Sequence, residues 1–212
     1  MIAIHLYAVR LFMEYLEQTG SITENPFSGL VFPGPESEPR DILSREEIIL
    51  LYDRCENLRE RAVLSLFYGC GLRRSEGEAL NVEDVGFRAG LLYVREGKGK
   101  KRRAVPMSRQ VCEDLKNYIE NERYPNPGER AVIINGIGKR TRGFSFNDSV
   151  KRIVKRCGIK KAITLHCLRH SIATHLLAAG MNIEQVRNFM GHSDIDTTQV
   201  YTRVSRYQTK RL

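Results

Sequence analysis

The segment HCLRHSIATH, residues 166–175, sets His166, Arg169, His170 and His175 within ten positions. Imidazoles at that density suit three kinds of work: holding a metal ion, satisfying a core through hydrogen bonds, or gripping an anion. At about 100° per residue, Leu168, Ile172, His175, Leu176 and Ala179 share one helical stripe, so His175 is read as a core-facing, hydrogen-bonded histidine. His166, Arg169 and His170 fall outside that stripe. A zinc site would use His166 and His170 as an i, i+4 pair. A metalloprotease helix of that spacing carries a glutamate after the first histidine, where this chain has Cys167. An arginine between the two ligands would also repel a cation. For an anion, His166 and Arg169, three apart, can converge on one group.

A transferring phosphoryl group gathers negative charge on its oxygens, and arginine meets that charge with a planar fork that stays protonated. One arginine is not enough, and the chain offers a second in a constrained place. GCGLRRSE puts Arg73 just after a double-glycine break at a helix start, where free N–H groups add to its charge. Lys98 stands in the glycine- and lysine-rich turn GKGKK, from which an ammonium can reach a site. In MGHSDIDTTQVYTRV, His192 follows a helix-ending glycine and Tyr201 comes nine residues later. Tyr207 is a nearby rival for Tyr201, as Lys100 and Lys101 are for Lys98.

The elements that must position these groups are legible as patterns. Residues 3–19 carry Ile4, Tyr7, Leu11 and Tyr15 at helical spacing, with Gly20 as a stop. NPFSGLVFPGPESEP follows with four of the seven prolines and reads as a linker. Ser44 and Glu47 have capping-box spacing ahead of a helix to about Cys55, and Ser75 with Glu78 repeats that spacing. Residues 60–68 read as an apolar helix ended by GCG. LLYVRE and RRAVP flank the lysine-rich turn as a hairpin, and AVIIN reads as a further short strand. Helices are expected near 108–121, 146–157, 165–179 and 183–190, and from about Asp196. The fold class is therefore α+β, mostly α, with a small antiparallel sheet.

Charge narrows the class of partner. The 212-residue chain has a formal net charge of +9. Seven basic residues and one acid lie between Arg88 and Arg103, and nine basic residues and one acid between Lys139 and Lys161. Clusters of this kind raise local affinity for phosphate. No apolar run reaches the roughly 20 residues of a membrane span, and the N-terminus lacks a signal peptide's features. Five cysteines without a C-x-x-C pair fit reduced thiols and a cytoplasmic protein rather than a disulfide frame or a zinc ribbon.

The ordered set GLRRSE, GKGKKR, HCLRH and GHSDIDTTQVY resembles the catalytic domain of the tyrosine recombinase (phage integrase) family, nearest its Xer-like and transposon-integrase branch. The likeness runs from the linker to Tyr201. It implies a helical catalytic domain over residues 41–212, a Pro-rich linker over 26–40, and in residues 1–25 the last helix of a mostly missing N-terminal core-binding domain. It further implies clamp arginines at Arg73 and Arg169, with Lys98 as the acid that protonates a leaving 5′-hydroxyl. His166 would then be the proton acceptor, His192 a phosphate hydrogen-bond donor and Tyr201 the nucleophile. Glu76 matches an acid that orients the site from behind, and His170 is read as supporting the helix.

The implied partner is double-stranded DNA, with self-association into dimers and tetramers on DNA when full length, and no membrane. The implied chemistry uses no metal and no cofactor: a phenol with a pKa near 10 is a poor nucleophile until a base and nearby cations assist it. Only eleven residues follow Tyr201, so DNA affinity and synapsis are expected to be weak. Two other readings share the residues, a type IB topoisomerase-like strand cleavage and a non-catalytic DNA-binding module on the same fold.

Overall fold

A computed structural model describes residues 2–29, 41–95 and 103–191 of the chain. The chain divides into two compact units, Met1–Arg40 and Asp41–Leu212. The first contains helix α1 (Ile2–Gln18), which leaves Tyr7, Phe12 and Tyr15 more than half exposed. The expected linker is described only as far as residue 29. The expected helix from Asp196, with Lys98, His192 and Tyr201, lies outside the described residues.

The second unit starts with α2 (Arg45–Asp53), capped as its sequence predicts: Ser44 Oγ accepts from the Glu47 N–H, and the Glu47 carboxylate accepts from the Ser44 N–H at 2.7 Å. Asn57 caps α3 (Leu58–Leu64) with its side-chain oxygen alone, which accepts from the Glu60 N–H at 2.8 Å. The single apolar helix expected over 60–68 is instead α3 followed by a wider π-helical turn, Ser65–Gly69. That turn ends where Gly71, at φ +57°, brings the chain against Phe189, Met190 and Ile172. A β-carbon there would stand 3.2 Å from both Phe189 and Met190 in a backbone conformation that favours glycine.

Helix α4 (Arg74–Ala79) begins earlier than the Ser75–Glu78 spacing suggests. Arg73 is the capping position, and the Glu76 carboxylate accepts from its N–H at 2.7 Å. Ser75 falls inside the first turn, while Glu78 faces Arg74 at 3.9 Å. The three-stranded antiparallel sheet has the order β1 (Val85–Gly86), β2 (Leu91–Val94), β3 (Arg103–Pro106), so the hairpin is present with one added strand. Leu92 faces Val105 and Val94 faces Arg103 across β2 and β3. Leu92, Val94 and Val105 are buried, which marks that face of the hairpin as the inner one.

AVIIN is not a strand. It makes two isolated bridges, Asn81 with Ala131 and Ile134 with Arg140. Its polar groups pair irregularly instead: the Ile134 carbonyl accepts from Arg59 Nε at 2.8 Å and the Ile134 N–H donates to the Tyr118 hydroxyl at 3.2 Å. Its apolar side chains are buried as expected, but a ladder needs a partner strand, and neither neighbour is one.

The remaining helices are α5 (Arg109–Asn121), α6 (Gly143–Arg156), α7 (Leu165–Ala178) and α8 (Ile183–Met190). α6 starts three residues ahead of the expected 146 because Gly143 lets its first turn close onto α4; a β-carbon there would fall 2.1 Å from Glu78 Oε1. Phe67 and Phe146 meet edge-on at 5.0 Å in the core between these elements. Thr164 caps α7, Asn182 caps α8, and Gly191 ends α8 at φ +72°. No helix among the described residues is long and apolar enough to cross a membrane.

Gly77 shows how tightly α4 is seated, since a β-carbon on it would lie 2.5 Å from Phe67 Cζ. Gly77→Ala is therefore expected to destabilise the protein by about 1–3 kcal/mol through overpacking. An open helical site would show the opposite sign, because alanine improves helix propensity by up to about 1 kcal/mol. The denaturant midpoint of the two proteins checks the sign.

Candidate active site

The site is built around a carboxylate. Glu76 sits on the first turn of α4 and is 2% exposed. Arg103 Nη1 and Nη2 donate to its two oxygens at 2.5 and 2.9 Å. Arg73 adds Nη1 at 2.9 Å to one oxygen and its backbone N–H at 2.7 Å to the other. Arg169 Nη1 stands 4.0 Å away. Burial by itself would raise the Glu76 carboxyl, but the hydrogen bonds and charge of Arg103 and the bonds from Arg73 outweigh it and hold the group at about 2.

Arg169 is reached from the other side. It lies on α7, is 5% exposed, and donates Nη1 to the Gly71 carbonyl and Nη2 to the Met190 carbonyl. The Gly71 turn, just past the π-helical turn, and the end of α8 supply these two acceptors, so local backbone shape fixes the direction of the guanidinium. Desolvation first, and the charge of Arg73 second, lower its pKa to about 10, so it remains a cation at neutral pH. Arg73 Nη2 reaches the Gly191 carbonyl at 3.3 Å. Gly191 in turn lies on Arg103, where a β-carbon would approach the guanidinium stem to 2.8 Å.

Three arginines around one glutamate leave an excess of positive charge in a partly buried place. Such a place favours an anion with several oxygens. Among the described residues no group of three or more histidine, cysteine, aspartate or glutamate side chains is arranged to hold a metal, and all five cysteines are free thiols.

The family model of the phage integrase family matches residues 41–207. The chain belongs to the phage integrase family. It is 38% identical over 209 residues to a tyrosine recombinase of Pseudothermotoga lettingae, covering 93% of this chain and 68% of that protein. It is 33% identical over 214 residues to the tyrosine recombinase XerC of Chlamydia trachomatis, covering 98% and 68%. In fold it matches the Tn1549 transposon integrase, whose structure is a complex with circular intermediate DNA. That match has a TM-score of 0.77 at 22% identity and covers 99% of this chain and 78% of that one. By family this phage integrase relative is an enzyme, a tyrosine-type site-specific recombinase.

Of the residues expected to form the site, the fold brings Arg73, Glu76 and Arg169 together. His166 and His170 are exposed on α7, one turn apart. His175 is half-buried and shares a 2.9 Å hydrogen bond between Nδ1 and the Tyr68 hydroxyl, and burial lowers its pKa. Arg169 corrects the sequence reading, which left it outside the buried stripe of α7. The stripe is wider than its apolar residues suggest, because α8 and the Gly71 turn cover that flank and offer carbonyls instead of apolar contact.

Arg103 went unassigned in the sequence, where it was one of seven basic residues in a cluster. Strand alternation carries the missing signal: Arg103 and Val105 share a face of β3, so a hairpin with Val105 inside must send Arg103 inside too.

The depressed Glu76 pKa carries a stability consequence. A carboxyl at 4.5 when unfolded and about 2 when folded stabilises the protein above pH 4.5, and that contribution is lost as pH falls toward 2. Wild type is expected to lose stability more steeply than Glu76→Gln over this interval, as read by urea denaturation at a series of pH values.

Proposed function

We propose that this chain cleaves and rejoins double-stranded DNA through a covalent 3′-phosphotyrosyl intermediate. The observation that carries the reading is the convergence of Arg73 and Arg169, from separate elements, on one ionised glutamate that cannot neutralise them all. In the proposed reaction the Tyr201 hydroxyl attacks the scissile phosphorus and gives up its proton toward His166. The P–O5′ bond breaks, and Lys98 protonates the departing 5′-oxygen. Arg73, Arg169 and His192 hold the non-bridging oxygens, where charge grows in the transition state. Glu76 orients the arginines from behind, and His170 supports α7 beside His166. Bond energy stays in the phosphotyrosyl link, so rejoining by a 5′-hydroxyl needs no cofactor and no metal.

The domain reading belongs to the same proposal: residues 41–212 are the catalytic domain and 26–40 its linker. So does assembly into dimers and tetramers on paired DNA sites. The DNA-bound Tn1549 integrase fold supports DNA as the partner. Free thiols support a cytoplasmic setting.

The test is an SDS-resistant protein–DNA adduct formed on a pool of nicked duplexes with randomised sequence around the nick. Wild type is expected to form it equally with and without EDTA, and Tyr201→Phe to form none. Arg169→Ala is expected to slow it by about 10²–10³. No adduct from wild type, or an undiminished one from Tyr201→Phe, overturns the reading. A zinc-dependent reaction would fail in EDTA. A non-catalytic DNA-binding module would shift the duplexes in a gel without forming a bond, and a topoisomerase would relax supercoils without exchanging partners.

A further inference from the structure

The recombinase motifs account for two of the three arginines at Glu76, and the third has no assigned part. An ionised carboxylate offers about four acceptor positions. Arg103 fills two of them, and the Arg73 side chain and backbone N–H fill two more. Glu76 is then saturated. Arg169, 4.0 Å away, is held by the neutral carbonyls of Gly71 and Met190 instead.

Take Arg103 away and the balance changes. A buried carboxylate with two vacant positions stands beside two guanidinium groups, and the strongest arrangement open to it is a fork-to-fork pair with one of them. Such a pair would draw that arginine off its present direction and neutralise it. We propose that Arg103 is a positioning residue of the recombinase site: it occupies Glu76 so that Arg73 and Arg169 keep their charge and their N–H groups for the DNA phosphate. The inference rests on the functional reading above.

Three features suit Arg103 to this task. It projects from the inner face of β3, so its stem is fixed by the sheet. Gly191, with no side chain, lies directly on that stem. It also begins β3, five residues after Lys98 in sequence, so the same ion pair ties β3 to α4. A lysine would not substitute, because an ammonium is a point charge without the planar fork that gives each oxygen its own parallel N–H bond.

The test measures single-turnover adduct formation by the full chain on the nicked duplex pool, at saturating DNA, for wild type, Arg103→Lys, Arg103→Met, Glu76→Gln and the two double variants. Thermal melting of each establishes that it is folded. Both Arg103 variants are expected to slow the adduct step at least ten-fold while DNA affinity changes only a few-fold. In the Glu76→Gln background the further loss from either Arg103 change is expected to stay under three-fold, since no carboxylate remains to be occupied.

Full rates in both Arg103 variants, a full rate in Arg103→Lys alone, or losses that multiply undiminished in the Glu76→Gln background each overturn the role. If Arg103→Met does not fold, the Arg103→Lys cycle decides. If Glu76→Gln gives no measurable adduct, the Arg103→Lys rate against wild type decides. No adduct from wild type overturns the recombinase reading and this inference together, whereas a normal wild-type adduct with unaffected Arg103 variants overturns only the part given to Arg103.

Discussion

A buried carboxylate cannot stay ionised unless its surroundings replace the water it has lost, and in this chain everything near Glu76 serves that end. Two guanidinium groups and a backbone N–H compensate it, and a third guanidinium stands just beyond. The same charges could not be gathered without it, because three arginines alone would repel one another at these distances. Glu76 is thus what lets cationic side chains accumulate at one spot before any phosphate arrives. Preorganisation of this sort lets a site stabilise developing charge without rearranging during the reaction.

Backbone shape adds to this pairing, and for Arg169 it sets the orientation. Gly71, two residues past the π-helical turn, points a carbonyl at Arg169, and the end of α8 supplies the second carbonyl. Gly191 turns the chain in the left-handed region, gives a carbonyl to Arg73, and by lacking a side chain makes room for Arg103. Gly77 lets Phe67 sit under α4. Glycines at helix ends are commonly read as stops; here two of them also set where guanidinium groups lie.

Much of the fold was legible because helix signals are local. Ser44 with Glu47 marked the start of α2, and the apolar spacing around Leu168 and Ile172 marked the core face of α7. The misreadings fall where a neighbour decides. AVIIN has strand composition without a partner strand. The start of α4 moved ahead of the Ser75–Glu78 spacing because the Gly71 turn delivers the chain at Arg73, which makes Glu76 rather than Glu78 the residue that caps it.

The sequence by itself determined the family, through four motifs in fixed order, and so nominated the residues that chemistry requires. Those types are the ones the proposed reaction calls for: permanent cations for a phosphate, an imidazole for a proton, a phenol for the bond. Tertiary structure alone decided that Arg103, out of the basic run beside Lys98, lies against Glu76. Arg103 looks like its neighbours Lys101 and Arg102 in a charged run, and only the pairing of β3 with β2 turns it inward onto Glu76. Charge is a property of composition, but the direction in which a charge points depends on which face of a strand is covered.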